Sequence, residues 1–331
     1  MATTIDYINS LKQDKTNLVN NLVEKGVEAT EDETFTELVP KVLNIESGGG
    51  DLSEYFGDTI NATGTSDIAG FAHLIKKIPS PVKITGTSAT YLFDGLPNLE
   101  EPPSVDTTGV TNMNYMWRNC KSLKKLPNLD TSLVKTFMYF AFGCMSLEEP
   151  PELDLTNATN MTSAFQGCQF AETKNYDFSN VTNINYLYNG CQNLKSVPNM
   201  NTPKVANMNG LFQTCWKLES IGTIDAQSVV DIGTNAFSQC RTLKNMGGLL
   251  NLGQAYLTTR AANYSDYTLQ LNTTILTEES LINVLTNLYD IATAGCKTQK
   301  CTLGSTNLAK LTSEAGQAAL AQATAYGWTV A

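Results

Sequence analysis

A single histidine, His73, serves the whole chain of 331 residues, and this scarcity removes most acid–base and metal-ligand chemistry at the outset. Charge is also sparse, at 16% of residues, and its balance is acidic: 22 basic against 32 acidic side chains, a net −10. That sign opposes binding to nucleic acid or to an anionic membrane surface. No apolar run approaches the ~18 residues that a membrane-spanning helix needs, so membrane insertion is not expected. The start, "MATTIDYINSLKQDKTN", has no apolar core of the kind a secretory signal carries, which gives the expectation of a chain made without one. A surface adhesin would need such a signal; a component released by lysis would not. The one glycine cluster, "ESGGGD" at 46–51, lacks the lysine and following helix of a phosphate-binding loop and reads as a flexible linker. Neither a nucleophile with its base nor a cofactor motif occurs. The chain is read as non-enzymatic and without cofactor.

What the chain does have is repetition. "VTNMNYMWRNCKSLKKLP" at 110–127 lies over "VTNINYLYNGCQNLKSVP" at 181–198 without a gap, and both carry a central cysteine. Taken as anchors, Cys120, Cys144, Cys168, Cys191, Cys215 and Cys240 follow one another at steps of 24, 24, 23, 24 and 25 residues. Leu96 and Ala72 hold the same place in two earlier copies, which makes about eight turns over 64–250. Before each anchor, apolar residues fall at i, i+3, i+4 and i+7, as in Met113, Met116, Trp117 and Cys120, a spacing that predicts one inward face of a short helix. After it comes an apolar pair, Leu123 and Leu126, Leu194 and Val197, or Leu218 and Ile221, suited to a very short strand that Pro127, Pro151 or Pro198 would end. A lone turn cannot bury these side chains, whereas stacked turns share one column of core.

The cysteines read as small apolar core residues. Stacked anchors come near disulfide range, yet pairing along the column would distort it, and Ala72 and Leu96 fill the slot without sulfur, so buried free thiols are favoured. Cys296 and Cys301 lie outside the repeat with no histidine beside them, a poor zinc pattern. His73 reads as a structural residue. Three turns depart from the pattern and should pack least regularly: Ala141 takes the aromatic slot, Ala171 the strand leucine and Gly233 the first helix methionine. Asp106, Asp130, Asp154 and Asp225 each lie ten residues past an anchor. A turn role, with carboxylates accepting backbone N–H groups, is favoured over a bound cation.

Phrases such as "NAFSQCRTLKNM" at 235–246 and "VTNMNYMWRNCKSLKKLP" resemble the BspA-like leucine-rich repeats. The resemblance covers over half of the chain and implies an α/β fold: a leucine-rich-repeat solenoid of about eight turns of 23–25 residues, with an N-terminal helical module and an α/β C-terminal cap. For function it implies adhesion or recognition in general. Residues 1–46 form the separate module. Ile8, Leu11, Leu18 and Leu22 follow coiled-coil spacing, interrupted by Lys15, and Gly26 is placed as a C-cap. Thr30 and Glu33 open a second helix that carries Phe35, Leu38, Val39 and Val42 on one side. Ile8, Leu11, Leu18, Leu22, Phe35 and Leu38 are the expected partner-binding residues; folding back onto the first repeat is the alternative. From Tyr7 to Ile45 this module resembles N-terminal segments of bacteriophage tail and fibre proteins, which implies virion proteins as partners and a homo-oligomer, a trimer before other states.

A linker and N-terminal cap are placed at 47–63 and a capping region at 251–331, where Thr277 is expected to N-cap a helix carrying Leu281, Leu285, Leu288 and Ile291. A strand at "KCTLG", a helix from about Thr312 to Gly327 and a last extended piece "WTV" follow. "LTEESLINVLTNLYD", "CTLGSTNLAKLTSE" and "AYGWTV" resemble endings found after such repeats in phage-encoded proteins. Tyr115, Tyr139 and Tyr186, each five residues before an anchor, together with Trp216, are the candidate ligand-binding residues. The tyrosines are placed on the outer side of the helix, where they would stack on a host glycan or anchor a host protein. Lateral packing of each ring on its neighbour is the alternative. The reading as a whole is a phage virion component, a fibre or head- or tail-attached protein, that faces a host surface; a bacterial surface adhesin or interaction module is the second reading.

Overall fold

The computed structural model describes residues 16, 19, 20, 23, 28–32, 82–84, 86–255 and 268–331. Thr16, Val19, Asn20 and Val23 are helical. Ile8, Leu11, Leu18, Leu22, Phe35 and Leu38, the linker, His73 and Ala72 lie outside the described residues.

From residue 86 to 255 the chain is a stack of turns in which each residue lies over its counterpart one period away. Parallel bridges tie Ser88 to Asn112, Asn112 to Thr136, Thr136 to Asn160, Asn160 to Asn183, Asn183 to Asn207 and Asn207 to Asp231. On the opposite edge of the turn, short strands pair in parallel: β1 (Val82–Lys83) with β2 (Val105–Asp106), and β3 (Ser196–Val197) with β4 (Ser220–Asp225) and β5 (Asn245–Leu250). β3 stops at Pro198, as expected, but the Leu123–Leu126 pair of the earlier turn forms no strand.

The helix predicted before each anchor does not form. In the Cys120 turn, alternate amides leave the turn and bond the next one: Met113 N to Thr136 O at 3.1 Å, Tyr115 N to Met138 O at 2.9 Å, Trp117 N to Phe140 O at 2.8 Å and Asn119 N to Phe142 O at 2.7 Å. The amides between them close three-residue turns, Met116 N to Met113 O, Arg118 N to Tyr115 O and Cys120 N to Trp117 O. An α-helix would send every amide four residues back and leave nothing for the neighbouring turn. Here the backbone divides its donors equally between the turn and the stack. The division requires left-handed backbone twice per turn, one and five residues before the anchor: Asn119 has φ +62° and Tyr115 φ +60°. Glycine fills the first of these places at Gly95, Gly143, Gly167 and Gly190. The i, i+3, i+4, i+7 apolar spacing is real, because a chain of such turns advances at nearly the helical rate, and Met113, Met116, Trp117 and Cys120 are all fully buried.

The core is a set of vertical columns. In the one three residues before the anchor, Phe93 stacks on Trp117 with ring centroids 4.3 Å apart, and Phe165, Tyr188, Phe212 and Phe237 stack at 6.0, 5.8 and 6.0 Å. Ala141 interrupts this column, and Phe140, one residue earlier, fills the volume, packing edge-on against Phe137 and Phe165. Bulk has moved between adjacent columns without leaving the layer. At Ala171 the repair is similar: that residue is exposed and Phe170 is buried in its stead. Gly233 does not occupy the methionine slot. The 25-residue step places Ile232 there, directly after the Asn207–Asp231 bridge, and the extra residue is taken up before Ala236.

The C-terminal unit consists of β6 (Thr268–Gln270), α1 (Glu278–Thr286), β7 (Gln299–Thr302), α2 (Ser305–Leu308), α3 (Glu314–Ala325) and β8 (Trp328–Val330), with a parallel sheet in the order β6-β7-β8. Thr277 caps α1 as expected, accepting from Ser280 N, but the helix ends at Thr286, so Leu288 and Ile291 lie beyond it. The later helix begins at Glu314 with Ser313 as its cap, two residues after the expected Thr312. The unit takes up backbone groups of the last turn: Ile275 N and Thr277 N donate to Leu243 O and Lys244 O, Met246 N donates to the Ser280 hydroxyl, and Leu252 bridges Leu288. Paired edge groups of this kind cannot recruit another chain.

Candidate functional site

The left-handed position five residues before each anchor is where the outer surface becomes unusual. Tyr91, Tyr115, Tyr139, Ser163, Tyr186 and Gly210 occupy it in successive turns, all with positive φ. A bulky L-residue in this conformation costs about 1–2 kcal/mol, and Gly210 shows that glycine serves in the same place. Three consecutive turns nevertheless carry tyrosine.

Those three rings form a continuous ladder. Tyr91 and Tyr115 stack with centroids 4.6 Å apart and planes 14° apart, and Tyr115 and Tyr139 at 4.9 Å and 9°. Phe142 closes the ladder by packing against Tyr139 at 5.5 Å and 62°. Beside it, two residues before their anchors, Arg118 and Asp94 form a two-pronged ion pair, with Nε on Oδ1 at 2.8 Å and Nη2 on Oδ2 at 2.6 Å. The guanidinium carbon lies 5.5 Å from the Tyr91 ring centre and 4.9 Å from that of Tyr115, so the cation also leans on both rings. The aspartate holds the Arg118 pKa above its ordinary value. Burial, followed by the neighbouring Tyr91 and Tyr139, pushes the Tyr115 phenol up, so the ladder stays uncharged through the neutral range.

The sequence-predicted residues are thus only partly brought together. Tyr115 and Tyr139 share the ladder. Tyr186 is two turns further on, beyond Ser163, and its ring lies over Gly210, where a Cβ would sit 2.3 Å from it. Trp216 is about half exposed, and among the described residues no ring pairs with it. The tyrosines were expected to stand free on the outside; Tyr115, Tyr139 and Tyr186 are half-buried instead, because stacking covers their faces. Tyr91, Asp94 and Arg118 were not singled out. Tyr91 obeys the five-before-the-anchor rule once Leu96 is counted as an anchor, whereas Asp94 and Arg118 are 24 residues apart and become partners only through the stacking.

The aspartate column is a set of turns. Oδ1 of Asp106, Asp130, Asp154 and Asp225 accepts the N–H two residues on, at 3.1, 3.0, 2.9 and 3.2 Å. These bonds, with those from the Ser132 and Thr156 side chains, hold the pKa values of Asp130 and Asp154 below the usual carboxylate range. Among the described residues no group of three His, Cys, Asp or Glu could hold a metal ion, and no helix is long and apolar enough to cross a membrane.

The cysteine column contains free thiols that are bonded rather than idle. Each Sγ donates to the carbonyl three residues before the preceding anchor: Cys120 to Phe93, Cys144 to Trp117, Cys168 to Ala141, Cys191 to Phe165, Cys215 to Tyr188 and Cys240 to Phe212, over 3.0–3.3 Å. Burial pushes Cys144, Cys191 and Cys240 up to about 12. Thiols held protonated in this way are unsuited to nucleophilic chemistry.

One family model matches residues 87–170 and again 159–261, together more than half of the chain. The chain belongs to the family described as "Mycoplasma protein of unknown function, DUF285". This is a repeat family related to the BspA-like repeat proteins. The matched residues coincide with the stacked turns and include the whole tyrosine ladder, the Arg118–Asp94 pair and all six anchor cysteines. No curated protein matches the chain.

Proposed function

We propose that the stacked turns are a solenoid of the BspA-like leucine-rich-repeat type and that this DUF285-family protein is a non-enzymatic phage virion component, a fibre or head- or tail-attached protein, whose repeats bind a host surface. The observation that carries the binding role is the Tyr91–Tyr115–Tyr139 ladder, in which three aromatic residues occupy strained backbone at the surface with a guanidinium against them. Strain retained where glycine would suffice is characteristic of recognition sites. The virion role is supported by the resemblance of residues 7–45 to phage tail and fibre segments, with Ile8, Leu11, Leu18, Leu22, Phe35 and Leu38 as the contacts to virion proteins and a trimer as the favoured assembly.

A bacterial cell-surface adhesin or protein-interaction module is the second reading, favoured by the family's Mycoplasma description. One experiment separates the possibilities. Labelled full-length protein is incubated with cells of the strain from which the gene comes, and antibody-gold labelling locates the native protein on phage particles or on the cell envelope. Binding that falls at least tenfold in the folded Tyr91→Ala/Tyr115→Ala/Tyr139→Ala variant, with gold on particles, is the expected result. Gold on the envelope establishes the second reading. Binding that the triple variant leaves unchanged overturns the ladder as the site.

A further inference from the structure

The ladder cannot bind a ligand as isolated aromatic residues do. Both faces of Tyr115 are occupied, one by Tyr91 and the other by Tyr139, so a sugar or ring laid flat on this residue is excluded. What the rings have left to present is their edges and hydroxyls. The hydroxyls are in register, since that of Tyr115 hydrogen-bonds that of Tyr91, and a phenol engaged in this way still has acceptor capacity. One residue before the tyrosines in sequence are Thr90 and Asn114, both half-buried and polar. On the other side stand Asp94 and Arg118. The strip is therefore polar, aromatic-edge and polar across its width, and it repeats along the stack at 4.6–4.9 Å.

Charge and spacing narrow the occupant. Arg118 is matched by Asp94, so the strip carries no net charge of its own, and a chain with a net −10 does not favour anions. An extended peptide advances about 3.3 Å per residue and repeats its same-side groups at about twice that, so it falls out of step with rungs about 4.8 Å high within two residues. An extended β-(1→4)-linked glycan advances by one pyranose ring per step, close to the rung height, and each ring carries hydroxyls at its edge.

We infer that the strip formed by Tyr91, Tyr115 and Tyr139 with Asn114 and Arg118 binds an uncharged, extended β-(1→4)-linked polysaccharide lying along the stack axis, one sugar per turn, through hydroxyl and amide hydrogen bonds rather than face stacking. This rests on the reading of the repeats as a host-surface binder and assigns its ligand class. Arg118 serves by bracing Tyr91 and Tyr115 and by donating its remaining N–H groups.

The test uses the full-length protein and chito- and cello-oligosaccharides of one to six sugars, with binding measured calorimetrically, alongside the cell-binding assay. Affinity is expected to rise with each added sugar up to three or four and then to level off. Tyr115→Phe, which keeps the stack and removes one hydroxyl, is expected to weaken binding of the longer oligosaccharides about tenfold, and Arg118→Lys by a similar factor. Three outcomes overturn the inference: Tyr115→Phe binding like the parent while Tyr115→Ala loses binding, affinity independent of chain length, or no binding of any oligosaccharide by protein that still binds cells. The last of these leaves the host-surface reading standing. Failure to bind both oligosaccharides and cells removes the two together.

Discussion

The thiol of Cys144 donates to the carbonyl oxygen of Trp117 at 3.0 Å, and the same oxygen accepts the backbone N–H of Cys120 at 3.2 Å. One buried carbonyl thus receives a donor from its own turn and another from the turn above. The arrangement recurs at every cysteine anchor and gives sulfur a task that alanine or valine could not perform. Cys144→Ala removes one donor from Trp117 O and leaves a small void, and it should lower stability by about 1–3 kcal/mol. Chemical denaturation of the full chain measures this, and an unchanged midpoint would show that the thiol bond contributes nothing.

The same burial makes the protein sensitive to base. The Cys144, Cys191 and Cys240 thiols have folded pKa values raised from 9.0 to about 12, and Cys120, Cys168 and Cys215 are raised in the same direction. Unfolded thiols lose their protons first, so above pH 9 the unfolded state binds fewer protons than the folded one and stability falls with rising pH. The contribution is complete below pH 9 and is lost progressively towards pH 12. A thermal melting series from pH 7 to pH 11 should show a steepening decline above pH 9, and replacing all six anchors should flatten it. In the folded protein at pH 8, a thiol reagent should label Cys296, the only half-buried cysteine, ahead of the others.

Two glycines with similar backbone should respond differently to a methyl group. Gly95 has φ +73° and open space where a Cβ would stand, so Gly95→Ala incurs only the backbone strain, about 1–2 kcal/mol. Gly210 has φ +64° and the Tyr186 ring 2.3 Å from the same point. Gly210→Ala must displace that ring as well and should cost about 2–4 kcal/mol. Equal losses of melting temperature in the two variants would show that the Tyr186 ring is not fixed where it lies.

Much of the core was legible because the period is written in chemically distinctive residues. The cysteine spacing located each turn, and the apolar residues before it, Met113, Met116, Trp117 and Cys120, are all buried. The Asp130 and Asp154 turns followed from the preference of a short carboxylate for nearby backbone N–H groups. The conformation of that apolar stretch was misread as helix because its periodicity is shared by a run of turns, and side-chain pattern does not reveal where a backbone amide sends its bond. The site was half legible. Tyr115 and Tyr139 were visible as a column, but whether their faces were exposed or stacked depended on rings 24 residues away.

The sequence by itself determined the period, the turns and the identity of the core columns, because burial is a property each residue carries into any copy of the same environment. Only the tertiary structure decided that alternate amides cross to the next turn, that Phe140 fills the space left by Ala141, and that Arg118 pairs with Asp94 against a closed stack of tyrosines. Those relations exist between turns, at distances set by the backbone ladder, and no single turn contains them.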